Sequence, residues 1–380
     1  MARLALLGST GSIGRQALEV IGNLGPRFEV VALAAGSNLE LLHQQIRKLR
    51  PAVVSVRTAE GARQLSGLLE KGERPLIVWG SEGLLQIAAL PEVDLVVNGL
   101  VGAIGLAPTL AALEARKRLC LANKESLVIG GHLVERALRS GGELIPIDSE
   151  HSALFQLLEG RDRKEVKRII LTASGGALRD RPLSELARVR PEEVLQHPNW
   201  RMGPRITVDS ATLANKGFEA LEAHWLFGLE YNQIEALLHP QSVVHGLVEF
   251  IDGGLSAGLG PPDMRLSIQY ALTYPERLES SFPQLELTGL RLDFAEIDPR
   301  RYPAFETVVE AGKIGGTLPA ALNGADEVLV ERFLRGEIPF TAIAAGLRAV
   351  LADHPVGQDP DLEEILEADR WGRRLAEEIS

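Results

Sequence analysis

Short apolar runs alternate with helical patterns through the first 148 residues. The runs lie at 3–7, 30–34, 52–56, 76–79, 95–97, 119–122 and 144–147, each of strand length. Strands alternating with helices predict a doubly wound parallel sheet, an α/β domain over 1–148. Beyond it the pattern changes. Runs at 168–171, 234–238, 243–250 and 255–259 read as strands of a mostly antiparallel sheet, giving an α+β domain over 149–275. Pro275, Pro283, Pro299 and Pro303 punctuate a stretch without periodicity, so 276–303 reads as an extended linker. Helical patterns near 304–312, 318–335, 340–353 and 361–378 predict a C-terminal helical bundle over 304–380.

Polar groups interrupt this pattern at a few places. The first strand runs into Gly8, Gly11 and Gly14, and a helix follows. Glycines let backbone approach a pyrophosphate, and a helix start supplies N–H groups and a positive dipole end. The second strand ends in Gly36, Ser37 and Asn38, with no acidic residue to hold a ribose 2′-hydroxyl. A neutral corner favours NADP over NAD. Asn123, Lys124 and Glu125 follow the sixth strand, at the sheet end where ligands of α/β sheets sit. Met264, in a turn leading into a helix, is placed toward the cofactor.

The densest polar stretch runs from His197 to Trp225. A Pro- and Gly-bounded loop, 197–204, comes first. A short β-like run, 205–209, is expected next, with Ser210 just before a helix. Asn215, Lys216 and Glu219 then share one helical face, with Phe218, Leu221 and Trp225 on the opposite, core-facing stripe. A hydroxyl, an amide, an ammonium and a carboxylate suit a phosphate beside a metal. A solvated face with one Lys–Glu pair has the same spacing. Asp148 and Glu150, two apart, point to one side if the segment is extended. With Glu219 they make three oxygen ligands for Mg²⁺ or Mn²⁺; helix capping is the plainer account of Asp148 and Glu150 alone. Ser174, Gly175 and Gly176 follow a strand and can add N–H groups to a phosphate cradle. His239 and His245 read as structural, and the cluster Asn323–Glu327 as structural or interfacial.

Composition narrows the field. The net charge of −11 argues against nucleic acid or an anionic membrane as the main partner. Cys120 is the single cysteine, so no intrachain disulfide forms, and it reads as core filler. No apolar run reaches membrane-spanning length. The run 4–7 stops at glycines, too short for a secretory signal, and a cytoplasmic protein is expected.

The motifs occur together in a known order: GSTGSIG at 8–14, LANKESL at 121–127, DSEHSA at 148–153 and SGG at 174–176. HPNW at 197–200, DSATLANKGFE at 209–219, HPQSVVHG at 239–246 and PDMR at 262–265 follow. In this set the chain resembles the 1-deoxy-D-xylulose 5-phosphate reductoisomerase family of the non-mevalonate isoprenoid pathway. The resemblance covers nearly the whole chain. It implies an NADPH- and divalent-metal-dependent oxidoreductase, cytoplasmic and typically homodimeric. Such an enzyme rearranges the carbon skeleton of a sugar phosphate and reduces the resulting aldehyde to 2-C-methyl-D-erythritol 4-phosphate. By position, it assigns NADPH to Thr10, Gly11, Ser12, Ile13, Gly36, Ser37, Asn38, Asn123, Glu125 and Gly203. Ser37 stands where some members carry Lys. The metal falls to Asp148, Glu150 and Glu219. Substrate falls to Lys124, Ser149, Glu150, Ser174, His197, Ser210, Asn215, Lys216 and Glu219. His197 and Trp200 join Lys124 and the three carboxylates in the catalytic set, Trp200 on a mobile lid. A glycine turn alone also fits a semialdehyde or homoserine dehydrogenase, or a redox-sensing NADP-binding module; neither needs an acidic trio.

Overall fold

Seven apolar runs become strands of one parallel sheet. They are β1 (Ala2–Leu7), β2 (Phe28–Ala34), β3 (Val53–Val56), β4 (Leu76–Trp79), β5 (Leu95–Asn98), β6 (Arg118–Leu121) and β7 (Glu143–Pro146). The computed structural model describes residues 1–70 and 72–379, which divide into two units. The first comprises Met1–Ser126, His132–Asp148 and Met264–Phe282; the second comprises Leu127–Gly131, Ser149–Asp263 and the chain from Pro283 onward.

In the first unit the strand order is β4-β3-β2-β1-β5-β6-β7. The chain winds outward from β1 in one direction, then returns to β5 and winds the other way. The switch point therefore lies between β1 and β5, where a doubly wound sheet opens a crevice at its carboxyl ends. Leu4, Leu6, Leu7, Val96 and Val97 are fully buried, as strands covered on both faces require. Each such side chain stabilises the sheet by roughly 2 kcal/mol. Cys120 is buried in β6, where burial pushes its thiol up to about 12, so it is core filler. The helix Met264–Thr273 packs in this unit against Ser12–Asn23, with Arg265 Nη1 2.7 Å from Glu19 Oε1. Met264 thus opens a helix of the first unit, the unit that carries the glycine turn.

The second unit carries β8 (Val166–Ala173), β9 (Ile234–Leu238), β10 (Val244–Phe250) and β11 (Leu255–Leu259), in the order β11-β10-β8-β9. β10 is antiparallel to both its neighbours, and β8 pairs with β9 in parallel. Leu154, Leu158, Ile169, Leu171, Phe227 and Val248 form its core. Helices Pro303–Ile314, Leu318–Leu334, Phe340–Asp353 and Leu362–Glu378 occupy the four expected C-terminal positions. Between Thr273 and Pro303 no helix or strand forms among the described residues, apart from the isolated bridge Leu238–Ala295.

Three local expectations are overturned. Residues 205–209 are not β-like; they lie in the helix Pro204–Thr212. Gly203 is extended at its N-cap and Pro204 opens the first turn, a strong helix start. The β-branched run fits because Thr207 and Val208 are buried and the Thr207 hydroxyl donates to the Gly203 carbonyl at 2.8 Å. Ser210 accordingly sits inside this helix, ahead of the helix Ala214–Phe227 as expected. Asp148 to Glu150 is not extended throughout, because Ser149 opens the helix Ser149–Leu158. The helix Ala214–Phe227 has no solvated polar face: Lys216 and Glu219 are as buried as Phe218 and Leu221, while Trp225 is only partly buried. No helix of the described residues is long and apolar enough to cross a membrane.

Candidate active site

The glycine turn stands at the switch point. Gly8 has φ +84°, and a Cβ there would lie 2.6 Å from the Gly99 carbonyl oxygen. A Cβ on Gly14 would lie 2.2 Å from the Gly8 oxygen, so the helix start presses directly on the turn. Ser9 is buried beneath, donating to Gln45 Oε1 at 2.7 Å while Gln45 Nε2 donates to its carbonyl at 2.9 Å. No side chain caps the helix Ser12–Asn23 at Gly11. Its first N–H groups, with exposed Gly11 and Ser12, therefore present the electropositive end that a pyrophosphate needs. At the end of β2, Gly36, Ser37 and Asn38 are exposed. The Asn38 side chain caps the next helix, accepting from Leu41 N at 3.1 Å.

Behind this crevice Asn123 is fully buried. Its amide donates to the carbonyls of Leu100 and Gly102 at 3.1 Å and to Glu125 Oε2 at 2.8 Å. Glu125 Oε1 accepts from Gly102 N at 2.9 Å. Asn123 and Glu125 thus shape the loop after β5. Lys124 Nζ lies 2.5 Å from Asp148 Oδ2, with both side chains largely buried.

In the second unit Ser174, His197 and Ser210 meet. The Ser174 hydroxyl lies 2.9 Å from His197 Nε2 and 3.4 Å from the Ser210 hydroxyl, and accepts from Gly176 N at 3.1 Å. His197 Nδ1 accepts backbone N–H from Trp200 at 2.9 Å and Asn199 at 3.2 Å. Those donors place the ring proton on Nε2, which donates to Ser174. Burial, then the charge of Arg179, holds His197 below the usual histidine range, consistent with a neutral ring.

A second group forms on the helix Ala214–Phe227. Lys216 Nζ donates to Glu150 Oε1 at 2.6 Å and also to Glu219. Asn215 Nδ2 donates to Glu219 Oε1 at 2.5 Å, and the Ser149 hydroxyl to Glu150. Burial alone would pull the Lys216 ammonium down, but the charges and hydrogen bonds of Glu150 and Glu219 hold it above the usual lysine value. One oxygen of Glu150 lies within 4.8 Å of one of Glu219. His151 Nε2 donates to the Glu219 backbone carbonyl at 2.9 Å, and its Nδ1 lies 3.4 Å from buried Glu222 Oε2. Asp148 is two residues from Glu150 in the chain, so their Cα atoms lie at most about 7 Å apart however the units are arranged.

Residues 4–131 match the family model of 1-deoxy-D-xylulose 5-phosphate reductoisomerase. Residues 144–227 match that enzyme's C-terminal domain, and 259–375 a DXP reductoisomerase C-terminal domain. The 1-deoxy-D-xylulose 5-phosphate reductoisomerase of Pelotomaculum thermopropionicum is 52% identical, covering 100% of this chain and 98% of that protein. The chain belongs to the 1-deoxy-D-xylulose 5-phosphate reductoisomerase family. The same enzyme from Symbiobacterium thermophilum is 52% identical, over 99% of this chain and 98% of the relative. A crystal structure of DOX-P reductoisomerase in complex with NADPH, fosmidomycin and magnesium superposes with a TM-score of 0.96 at 38% identity, covering 100% of this chain and 98% of the other. The Zymomonas mobilis reductoisomerase in complex with NADPH gives 0.92 at 37% identity, covering 99% and 98%.

Sequence reasoning missed several residues around this reductoisomerase site. Arg179 Nη1 donates to the Ser174 carbonyl at 3.0 Å and its guanidinium pairs with Asp180. Asn199 Nδ2 donates to the Pro240 carbonyl at 2.6 Å and the Ser242 hydroxyl at 3.0 Å. The Trp200 indole meets His245 edge-on at 6.1 Å between centroids. His239 holds the turn that receives Asn199: its Nδ1 donates to the Asp293 carbonyl at 2.9 Å, and Nε2 accepts from Val243 and Val244 N. Both histidines, read from the sequence as structural, form the seat of the loop. Only their spacing within HPQSVVHG hinted at it. Gly203, assigned to cofactor by resemblance, caps the helix Pro204–Thr212.

Proposed function

We propose that this chain converts 1-deoxy-D-xylulose 5-phosphate to 2-C-methyl-D-erythritol 4-phosphate with NADPH and a divalent cation, Mg²⁺ or Mn²⁺, for isoprenoid precursor synthesis. The observation that carries the reading is the Glu150–Lys216–Glu219 group, with Lys216 and Glu219 buried, in a chain of this family. Solved relatives in complex with NADPH, fosmidomycin and magnesium support it.

Asp148, Glu150 and Glu219 would hold the cation. An all-oxygen carboxylate set fits a hard divalent ion, and the short reach between Glu150 and Glu219 supports the fit. When bound, the cation supplies Lewis-acid polarisation of substrate oxygens. Thr10, Gly11, Ser12 and Ile13 would take the cofactor pyrophosphate, and Gly36, Ser37 and Asn38 the 2′-phosphate. Asn123 and Glu125 act on the cofactor side through the loop at 100–102, and Gly203 completes the set. When bound, NADPH supplies the hydride. The His197 Nε2–H, the hydroxyls of Ser174 and Ser210, Asn215 and Lys216 bind the substrate phosphate. Lys216 reaches it by exchanging its carboxylate partners, so phosphate and cation binding are linked. Lys124 offsets developing enolate charge, and Ser149 orients Glu150. Trp200 closes over the substrate and excludes water.

We read 1–148 as the cofactor domain, to which the segment Met264–Phe282 returns, 149–275 as otherwise the catalytic domain, 276–303 as a linker and 304–380 as the helical domain. The protein is a cytoplasmic homodimer with no nucleic-acid or membrane partner. Outward Leu255 and Leu259 on the edge strand β11, 58% and 45% exposed, support a dimer. NADPH absorbance followed with 1-deoxy-D-xylulose 5-phosphate, with Mn²⁺ and then with chelator, tests the function. Substrate-dependent oxidation abolished by chelator is expected; no oxidation with this substrate refutes it.

A further inference from the structure

The polar cluster Asn323–Glu327 lies outside the chemistry described so far. Asn323 and Asp326 are 0% exposed, in the interior of the second unit. Arg205, the second residue of the helix Pro204–Thr212, reaches into the cluster. Its guanidinium lies 3.0 Å from Glu327 Oε1, 3.3 Å from Asn323 Oδ1, 3.5 Å from Asp326 Oδ2 and 3.6 Å from Asp209 Oδ2. Arg373, on the last helix, pairs with Glu327 and Asp369, each at 2.7 Å. Two guanidiniums therefore sit among four carboxylates. Ionic groups buried this way seldom stabilise more than apolar residues of the same volume. They do impose direction, since a planar guanidinium shared among several acceptors restrains the element that carries it.

What carries Arg205 is the helix that starts where the loop 197–203 ends. Ser210 lies five residues further along the same helix, about 7.5 Å of rise, and faces Ser174 at 3.4 Å. Gly176 lies close against it: a Cβ there would be 2.5 Å from Ala211 Cα. A small shift of the helix would move Ser210 off Ser174 and move the end of the loop with it.

We propose that Arg205 is a positioning residue, through which the C-terminal helices hold Ser210 and the hinge of the Trp200 loop in register for the substrate phosphate. The inference rests on the reading of Ser210 as a phosphate contact. It gives the C-terminal helices a part in substrate binding.

The test uses the full-length enzyme with NADPH and Mn²⁺. Substrate KM, NADPH KM, melting and hydrogen exchange are measured for Arg205→Gln, Arg205→Lys, Asp326→Asn and Ser210→Ala. Arg205→Gln should raise substrate KM on the order of 10-fold, leave NADPH KM within about twofold, and speed exchange across 204–210. Lys keeps the charge without the fork and should fall between Gln and Arg. Asp326→Asn should shift substrate KM in the same direction. A lower melting midpoint with unchanged substrate KM and unchanged exchange in Arg205→Gln makes the cluster purely structural and overturns the proposal. Should Arg205→Gln fail to fold, wild-type substrate KM in both Arg205→Lys and Asp326→Asn overturns it. Raised KM in Ser210→Ala with normal Arg205→Gln removes the anchoring alone. Unchanged KM in Ser210→Ala removes the phosphate reading, and this inference with it.

Discussion

At the scale of single residues, the site depends on charge states held by neighbours. His197 works as a neutral ring, because Nδ1 must accept from Trp200 N. Its pKa in the folded protein lies below the unfolded value of about 6.5. The unfolded chain thus binds more protons in that window. The ring's contribution is complete above the unfolded value and is lost as pH falls through the depressed one. Substrate KM should rise on the acid side in the wild type, and His197→Asn should lose that limb of the profile. A ring shown by NMR to titrate above the ordinary value would contradict this. Lys216 presents the opposite case, a cation buried between two carboxylates with 4% of its side chain exposed. Lys216→Met leaves Glu150 and Glu219 facing each other. Without metal it should cost about 3 kcal/mol of stability, and Mn²⁺ should restore more to the variant than to the wild type. Thermal melts with and without Mn²⁺ check this; an unaltered midpoint in metal-free buffer would mean the pair contributes nothing. At the cofactor corner, Ser37→Asp should lower efficiency with NADPH about 10-fold or more while sparing NADH. Equal losses with both cofactors would remove Ser37 from the 2′-phosphate contact.

At the scale of elements, the loop 197–203, proposed above as a lid, has a seat in the fold. Asn199 docks on Pro240 and Ser242, and Trp200 on His245. Hydrogen exchange at 198–203 should slow when substrate or a phosphonate analogue binds, while the helix Pro204–Thr212 stays protected throughout. Exchange that ignores the ligand would refute the lid. The strands and most helices were legible in the sequence because their apolar periods of two and 3.6 are set by burial on one or both faces. The same logic failed for residues 205–209. Ile206, Thr207 and Val208 look like a strand, but the Gly203–Pro204 start and the tertiary burial of Thr207 and Val208 make a helix of them. The polar face of Ala214–Phe227 was legible in residue type, but its burial was not. Nothing in the local sequence says that Lys216 will meet Glu150, which lies 66 positions away. The pairing of the loop 197–203 with its seat, and of Arg205 with Asn323–Glu327, was unreadable for the same reason, since the partners come from distant segments.

At the scale of the whole molecule, the exposed leucines of β11 should be covered in a dimer. Leu255→Lys with Leu259→Lys should shift light-scattering mass from dimer toward monomer; an unchanged mass would place any interface elsewhere. The central claim is also one of long range. Glu219 lies 69 residues beyond Glu150 (219 − 150), so only folding can unite the carboxylates proposed to share a cation. The most direct test is a Mn²⁺ titration of wild type and Glu219→Gln, following bound metal and turnover of 1-deoxy-D-xylulose 5-phosphate together. Gln keeps the shape and helix propensity of Glu, so the fold and NADPH binding should persist. Mn²⁺ affinity should fall, and turnover should drop by a few orders of magnitude, since a Lewis-acid metal is worth several kcal/mol in the transition state. Unchanged turnover with an unchanged Mn²⁺ dependence would take Glu219 out of the active site and contradict the three-carboxylate account.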